Sequence, residues 1–245
     1  MIDKKLRILA IIPGRGGSKS IKLKNLQKVG KLPLIGHTIL AAKNSSVNRI
    51  IVSTDNHKIA DVSKKFGAEI PFIRPKKFAT DSSSTLDVVN HTLQYLEKKE
   101  DYTPDIVTIL LPTSPFRSLN LIDQSIKLLI KSNSTSVVSV SKSKEHAFKA
   151  FVEKNGFLKP WKKDYKQYYQ RQLLPETFHT TGSVYTFWFN TLKKYGHYYG
   201  PKIKPLVIKE PIFNIDIDEV FDLFIAEMAK KYWPTFLKNF NKKIR

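Results

Sequence analysis

The chain lacks several features that would assign it to a functional class directly. It contains no cysteine, which excludes disulfides and zinc sites built on thiolates. No apolar run reaches the length of a membrane span, and the N-terminal apolar segment 6–12 is too short for a secretory signal peptide. The histidines do not follow a metal-binding spacing, and no Gly-x-Ser-x-Gly motif supplies a serine nucleophile. These absences predict a soluble, cytoplasmic protein with no membrane span.

Acidic residues are also scarce. Lys and Arg number 42 against 21 Asp and Glu, which gives a net charge of +21. Three interpretations are open: a lysine-rich composition that fills the solvated surface, an anionic small substrate, or nucleic acid. The lysines are spread along the chain, with no long basic block or arginine-rich helix. We therefore favour a lysine-rich composition as the explanation of the positive charge, with an anionic substrate second, and we expect no nucleic-acid partner.

Short apolar segments alternate with amphipathic segments of helix length along most of the 245 residues. The predicted strands are 6–12, 49–53, 70–73, 105–111, 136–140, 183–189 and 205–208, and the predicted helices are 34–43, 58–66, 85–98, 121–131 and 219–231. This alternation predicts an α/β fold in which a mainly parallel, Rossmann-like sheet is flanked by helices. Ligands of such sheets bind beyond the carboxyl ends of the strands, where the candidate site residues of this chain fall.

The character of the sequence changes between residues 142 and 180. This segment is polar and rich in aromatic residues, and Asn155-Gly156 is typical of a β-hairpin turn. We interpret it as a lobe inserted between core segments 1–141 and 181–245. So many aromatic side chains on a small excursion favour a dimerisation surface that a partner subunit covers. An excursion that packs against its own domain is the alternative.

A glycine-rich loop follows the first predicted strand. It reads Pro-Gly-Arg-Gly-Gly-Ser-Lys-Ser from residue 13 and is followed by Lys24-Asn25. Glycines let backbone N–H groups approach an anion closely, and Arg15, Lys19 and Lys24 add positive charge. The loop is neither a Walker A motif nor a Gly-x-Gly-x-x-Gly motif. It predicts a polyphosphate site at the end of a strand, and a basic surface turn is the alternative.

Two further groups of residues are candidates for the site. Asp216 and Asp218 share one face of an extended segment, which suits Mg²⁺ held together with a substrate phosphate. The alternative is that Asp218 caps the helix predicted from residue 219. Arg74 and the hydroxyl-rich segment 80–85 are suited to read a base or an anion, or to cap the helix that follows.

Taken together and in order, these motifs resemble the acylneuraminate cytidylyltransferases. The similarity begins at the loop 14–20 with Lys24-Asn25 and continues through segments 51–55, 72–75, 110–117, 171–175, 182–185 and 216–218. The resemblance implies a nucleotidyltransferase fold, a homodimer formed through the inserted lobe, and Mg²⁺ as the cofactor. It also implies transfer of CMP from CTP to the anomeric hydroxyl of a nonulosonic acid, with release of pyrophosphate.

The resemblance further implies roles for individual residues. The positions that match the nucleotide-binding residues of the family are Arg15, Gly16, Ser18, Lys24, Asn25, Arg74 and Thr85. Within that set Arg74 and Thr85 match the cytosine-reading positions, while Asp216 and Asp218 match the Mg²⁺-binding carboxylates. The expected catalytic residues are Arg15, Lys24 and Asp216. The base that deprotonates the sugar hydroxyl is either Asp216 or a hydroxide bound to Mg²⁺.

The sugar side of the site departs from the family pattern. The residues that match sugar-binding positions are Leu111, Lys149, Arg171 and Thr181. Leu111 and Thr181 stand where family members commonly carry glutamine and asparagine, and Leu173 and His179 replace a second glutamine and an arginine. A Gln-to-Leu change removes a hydrogen-bond donor and an acceptor, which alters discrimination between sugars. We therefore hypothesise a sugar other than N-acetylneuraminate, such as legionaminate, pseudaminate or another modified nonulosonate.

Three alternatives to this function are open. The nearest is a cytidylyltransferase for 3-deoxy-manno-octulosonate, although the aromatic lobe and segment 171–175 favour nonulosonates. A sugar-1-phosphate nucleotidyltransferase is more distant, because its Gly-x-Gly-Thr/Ser-Arg loop pattern is missing here. The third is a catalytically silent or nucleic-acid-binding relative, which the net charge of +21 suggests. An active enzyme is favoured by the presence of Arg15, Lys24, Asp216 and Asp218.

Overall fold

Among the described residues, 6–162 and 174–243 of a computed structural model, a six-stranded sheet lies at the centre of the fold. The strands are β1 (Ile8–Pro13), β2 (Lys28–Val29), β3 (Leu32–Pro33), β4 (Arg49–Ser53), β5 (Ile106–Ile109), β6 (Ser136–Lys142), β7 (Phe151–Lys154), β8 (Phe157–Pro160), β9 (Phe178–Trp188) and β10 (Ile203–Val207). The central sheet has the order β10-β6-β9-β5-β1-β4. Strand β9 runs antiparallel to β5 and β6, and the other pairings of this sheet are parallel.

Helices cover both faces of this sheet. They are α1 (Leu34–Lys43), α2 (His57–Lys65), α3 (Thr85–Glu100), α4 (Leu121–Lys131), α5 (Phe189–Tyr195) and α6 (Val220–Lys243). Apolar residues of α1 and α4 pack with one face of the sheet, and those of α3 and α5 pack with the other face. The predicted α/β fold with a mainly parallel, helix-flanked sheet is therefore confirmed. Within the described ranges, no helix has the length and apolar character needed to cross a membrane.

The sequence of β1 explains why this strand lies in the middle of two apolar layers. Ala10 and Ile12 belong to the cluster on the α1 and α4 side, whereas Leu9 and Ile11 belong to the cluster on the α3 and α5 side. Successive side chains of a strand point to opposite faces of the sheet, so a strand covered on both sides needs a continuous apolar run. The glycine-rich loop therefore begins at the carboxyl end of a strand that is buried on both faces.

Several predicted elements are wrong in type or extent. Strand β9, for example, begins at Phe178 rather than at residue 183. Segment 70–73 is not a strand; the only pairing near it is an isolated bridge between Ile51 and Glu69 within the described residues. Pro71 explains the difference, because proline lacks the N–H that a sheet ladder needs. Helix α6 runs to Lys243 rather than ending at residue 231.

The predicted lobe contains the expected hairpin. Strands β7 and β8 pair antiparallel, and Asn155 and Gly156 between them have φ angles of 54° and 79°. Positive φ at both central residues is typical of a type I′ turn, whose twist matches that of the two strands in a two-residue hairpin. Strand β6 extends to Lys142 and β9 begins at Phe178, so the central sheet reaches slightly into both ends of segment 142–180.

Candidate active site

A cleft of about 400 Å³ opens at the carboxyl ends of β1 and β5. Its walls come from the glycine-rich loop, the start of α3, the segment after β5 and the segment before α6. The predicted site residues that it brings together are Arg15, Ser18, Lys24, Asn25, Arg74, Thr85, Leu111, Asp216 and Asp218. Parts of the chain that are far apart in sequence thus meet at the sheet edge where ligands of α/β proteins bind.

The glycine-rich loop is fixed in shape by contacts on two sides. The Gly16 N–H donates to Asp55 Oδ1 at 2.7 Å, and Asn25 Nδ2 donates to the Arg15 carbonyl at 2.8 Å. A Cβ added to Gly16 would lie 2.7 Å from Cβ of Asn56, so the close approach requires glycine. Because the Gly16 N–H is already engaged, Gly16 contributes the shape of the loop rather than a free donor.

Arg15, Lys19 and Lys24 are each paired with a carboxylate. Arg15 Nη1 lies 2.8 Å from Asp81 Oδ1, and Lys19 Nζ lies 3.0 Å from Asp81 Oδ2. Lys24 Nζ lies 2.9 Å from Asp218 Oδ1 and also donates to the Ile217 carbonyl at 2.9 Å. The Lys24 side chain is largely buried, which strengthens its electrostatic contacts relative to the exposed pairs of Asp81.

The acidic segment before α6 is held by its central residue. Ile217 is fully buried among apolar side chains, and its N–H donates to the Thr113 carbonyl at 2.8 Å. Asp216 and Asp218 are exposed on either side of it, and Ser114 Oγ donates to Asp216 Oδ1 at 3.2 Å. The segment therefore presents two carboxylates to the cleft from one rigid anchor.

The capping alternative for Asp218 does not fit the contacts at the start of α6. Asp222 Oδ2 accepts the backbone N–H groups of Asp218 and Glu219 at 2.9 and 2.7 Å. The Asp218 carboxylate is directed to Lys24 instead. Among the described residues, no group of three or more His, Cys, Asp or Glu side chains is placed to hold a metal. A magnesium ion here would take two carboxylates from the chain and its other oxygen ligands from phosphate and water, a donor set that Mg²⁺ commonly accepts.

Arg74 is the buried cation of the site. Its Nε donates to Ser53 Oγ at 3.0 Å, its Nη1 to the Phe78 carbonyl at 3.3 Å, and its Nη2 to the Ser53 carbonyl. Burial lowers the pKa of Arg74 to about 10. Since a guanidinium has five N–H donors, these contacts anchor Arg74 while it still lines the cleft.

The helix-capping alternative for segment 80–85 is correct in part. Ser84 Oγ accepts the Asp87 N–H at 3.1 Å, and Asp87 Oδ2 accepts the Ser84 N–H at 2.9 Å, which forms a capping box for α3. Thr85 is the first residue of the helix and lines the cleft. The hydroxyl-rich segment thus both starts the helix and faces the site.

Arg117 and Gly182 stand in segments 110–117 and 182–185, which carry the family resemblance, but the sequence patterns did not assign them a role. Arg117 donates to the carbonyls of Leu111 at 2.7 Å and Ser183 at 2.9 Å, and burial lowers its pKa to about 9. Gly182 has φ of +72°, and a Cβ there would lie 2.6 Å from Ser114 Oγ. The signals for Arg117 were its place in segment 110–117 and its position shortly after the Pro-Thr-Ser-Pro turn at the end of a buried strand.

Most of the predicted nucleotide-binding residues line one cleft, whereas the predicted sugar-binding residues do not lie together there. Leu111 lines the cleft, whereas Thr181 is buried and its hydroxyl donates to Ser139 Oγ at 2.8 Å. Lys149 ends a short 3₁₀ turn, Ala147–Lys149, and lines a separate depression. Arg171 and Leu173 lie outside the described residues. The sugar-binding roles of all four predicted residues stay predictions.

This fold and this site define a nucleotidyltransferase: a mainly parallel sheet presents a cationic glycine-rich loop opposite a carboxylate pair at its carboxyl edge. The family model described as Cytidylyltransferase matches residues 9–223, and the chain belongs to this family.

Known proteins of similar sequence and structure agree with this assignment. The chain is 35% identical over 228 residues to CMP-N,N′-diacetyllegionaminic acid synthase of Legionella pneumophila, covering 91% of this chain and 95% of that protein. It is 29% identical over 232 residues to N-acylneuraminate cytidylyltransferase of Escherichia coli, covering 92% of this chain and 53% of that protein. The fold matches a CMP:2-keto-3-deoxy-manno-octonic acid synthetase solved with CTP, with a TM-score of 0.65 and 15% identity over 92% of this chain and 99% of that one.

Proposed function

We propose that this chain transfers CMP from CTP to the anomeric hydroxyl of a nonulosonic acid and releases pyrophosphate. The observation that carries the proposal is the cleft, in which the loop cations face a carboxylate pair at the edge of the sheet. Similarity to a protein named CMP-N,N′-diacetyllegionaminic acid synthase supports both the nucleotide and the class of acceptor.

The nucleotide half of the proposed site is formed by the loop and the start of α3. Arg15 and Lys24 supply positive charge for the triphosphate, and the Ser18 hydroxyl offers a further donor. Asn25 acts on the shape of the loop through its bond to the Arg15 carbonyl. Arg74 and Thr85 also line the cleft and are the residues proposed to contact the cytosine.

The proposed reaction forms a bond from the anomeric oxygen to the α-phosphorus and breaks the bond from that phosphorus to the oxygen bridging to the β-phosphate. Negative charge grows on the α-phosphate oxygens and on the leaving pyrophosphate. Arg15 and Lys24 stabilise that charge, and such preorganised cations supply most of the catalysis in this chemistry. The proton of the sugar hydroxyl goes to a base, for which Asp216 is the candidate side chain.

Magnesium is part of this proposal. Asp216 and Asp218 would hold Mg²⁺, which supplies charge neutralisation at the phosphates. The chain's own contribution is to fix both carboxylates through the buried Ile217 and to hold Asp216 by the Ser114 hydroxyl. Lys24 lies beside Asp218 and would supply a further positive charge to the same phosphates.

We further propose that the acceptor is a modified nonulosonate of the legionaminate type. Leu111 lines the cleft with an apolar side chain where a polar one would favour N-acetylneuraminate. Lys149, Arg171 and Thr181 complete the proposed sugar side. A homodimer formed through the β7–β8 hairpin belongs to the proposal, because Phe157, Leu158 and Trp161 leave large apolar surfaces exposed there.

Release of pyrophosphate from CTP tests the proposed function. The full-length protein is incubated with CTP, Mg²⁺ and one acceptor at a time: diacetyllegionaminate, pseudaminate, N-acetylneuraminate or 3-deoxy-manno-octulosonate. We expect release that depends on the acceptor and is fastest with a modified nonulosonate, and little release with ATP, GTP or UTP. Preference for N-acetylneuraminate would overturn the sugar assignment. Preference for 3-deoxy-manno-octulosonate, or no release with any acceptor, would overturn the proposed function itself.

A further inference from the structure

Asp81 holds two cations of the glycine-rich loop at once. Its two carboxylate oxygens contact different partners, Oδ1 with Arg15 Nη1 at 2.8 Å and Oδ2 with Lys19 Nζ at 3.0 Å. Arg15 Nη1 also donates to the Thr80 carbonyl at 3.1 Å. Asp81 and Arg15 both line the cleft. A carboxylate therefore sits where two cations of the glycine-rich loop, Arg15 and Lys19, converge.

The backbone around Asp81 holds the carboxylate in that position. The Ser83 N–H donates to the Thr80 carbonyl at 3.2 Å, which closes a tight turn with Asp81 near its tip. The Thr80 N–H donates to Ser83 Oγ at 3.0 Å, and Ser83 Oγ in turn donates to the Lys77 carbonyl at 3.2 Å. The turn is thus braced independently of the loop cations.

We propose that Asp81 competes with the phosphates of CTP and pyrophosphate for Arg15 and Lys19, so that it weakens their binding and assists release of the product. This inference rests on the proposed function. Two anions cannot share the same N–H donors without repelling each other, so a polyphosphate that takes these donors displaces the carboxylate. Hydrogen bonds from Lys19 and then from Arg15 keep the pKa of Asp81 below its usual value, so the competing group is ionised at neutral pH. Asp81 is a positioning residue and takes no part in bond making.

Titration calorimetry with inorganic pyrophosphate and Mg²⁺ tests the proposal. Asp81→Asn should bind pyrophosphate about three- to tenfold more tightly than the wild type, the range expected for losing one or two exposed ion pairs. Asp81→Glu, which keeps the carboxylate, should stay close to the wild type. Glu97→Gln is the matched control, because Glu97 forms an exposed 3.1 Å ion pair with Lys193 that does not line the cleft.

Two kinetic readouts separate competition from simple damage to the site. In Asp81→Asn the KM for CTP and the inhibition constant of pyrophosphate should fall together, and the difference from the wild type should shrink at high salt. Unchanged or weaker pyrophosphate binding in Asp81→Asn would overturn the inference. Failure of the wild type to bind pyrophosphate or CTP would overturn the proposed function instead.

Discussion

Lys24 and Asp218 form an ion pair 2.9 Å long although 194 positions separate them in the sequence. Lys24 also donates to the carbonyl of Ile217, the buried residue that anchors the acidic segment. This contact ties the glycine-rich loop to the carboxylate pair and so joins the two halves of the proposed phosphate site. A cation next to a carboxylate that is proposed to bind Mg²⁺ lies where the charge of a triphosphate would be neutralised.

Lys24→Met should remove most of the activity and little of the stability. Loss of one preorganised charge at a developing oxyanion commonly lowers kcat by about 10²- to 10³-fold. Lys24→Arg keeps the positive charge in a side chain of different shape, so its kcat should lie between those of the wild type and Lys24→Met. Steady-state release of pyrophosphate measures the effect, and thermal unfolding checks that each variant is folded. A loss of less than about threefold in Lys24→Met would remove Lys24 from the catalytic residues.

Activity should require a divalent cation held by Asp216 and Asp218. A chelator should abolish pyrophosphate release, and added Mg²⁺ should restore it. Asp216→Asn and Asp218→Asn should each raise the Mg²⁺ concentration needed for half-maximal rate by about tenfold or more. The matched control is Asp123→Asn, whose carboxylate accepts from Ser46 and does not line the cleft. An unchanged Mg²⁺ response in both cleft variants would contradict the assignment.

Gly182→Ala should destabilise the protein more than Gly196→Ala. Both glycines have φ near +70°, so each alanine carries a similar backbone penalty of about 1 kcal/mol. A Cβ at Gly182 would also meet Ser114 Oγ at 2.6 Å, whereas no atom lies within 4 Å of one at Gly196. We expect about 2–4 kcal/mol for Gly182→Ala from urea unfolding. If the two variants lose the same free energy of unfolding, the contact between a Cβ at position 182 and Ser114 Oγ adds no cost.

Arg117→Met should lower the free energy of unfolding by about 2–4 kcal/mol. The guanidinium donates to the carbonyls of Leu111 and Ser183 and to the Thr38 hydroxyl, and methionine leaves these acceptors without their partner. Because Leu111 belongs to the cleft, KM for the sugar should rise as well. Urea unfolding together with acceptor kinetics measures both effects, and full stability in the variant would refute this role.

The free energy of unfolding should decrease as the pH is lowered below 6.5, and His37 should contribute to this decrease. Burial lowers the pKa of His37, whose Nε2–H donates to the Val29 carbonyl at 2.8 Å. The imidazole of His37 therefore binds a proton more readily in the unfolded chain than in the folded protein. As a result, the free energy of unfolding decreases as the pH falls from 6.5 toward the pKa of His37 in the folded protein. His91 has a pKa shifted in the same direction, again by burial. Urea midpoints between pH 5 and 8 should show a shallower slope for His37→Gln, and an unchanged slope would argue against His37.

The parts of the fold set by local patterns were predictable from the sequence. Helices α1 and α4 and strand β4 have the predicted limits, because their apolar spacing alone determines the face they bury. The extent of α6 was not predictable, since Trp233 packs against a cluster built from distant segments and Pro234 lies within the helix. Segment 70–73 has apolar residues typical of a strand, but Pro71 lacks the N–H that strand pairing needs.

The candidate site divides in the same way. The glycine-rich loop and the carboxylate pair were visible as motifs, since their spacing carries the chemistry. Asp81 and Arg117 also lie in segments that the motifs include, but their roles were not visible. Those roles come from contacts made across the fold: Asp81 with Arg15 and Lys19, and Arg117 with Ser183. Long-range contacts of this kind leave no periodic signal in one sequence.

The central claim is that the α-phosphate of CTP ends on a nonulosonic acid. CTP labelled at the α-phosphorus, incubated with Mg²⁺ and diacetyllegionaminate, tests it directly. We predict that the label moves into a CMP-sugar whose mass equals the sum of CMP and the acid less one water, while a γ-label leaves as pyrophosphate. Recovery of the α-label as free CMP or unreacted CTP with every nonulosonic acid tried would contradict the account.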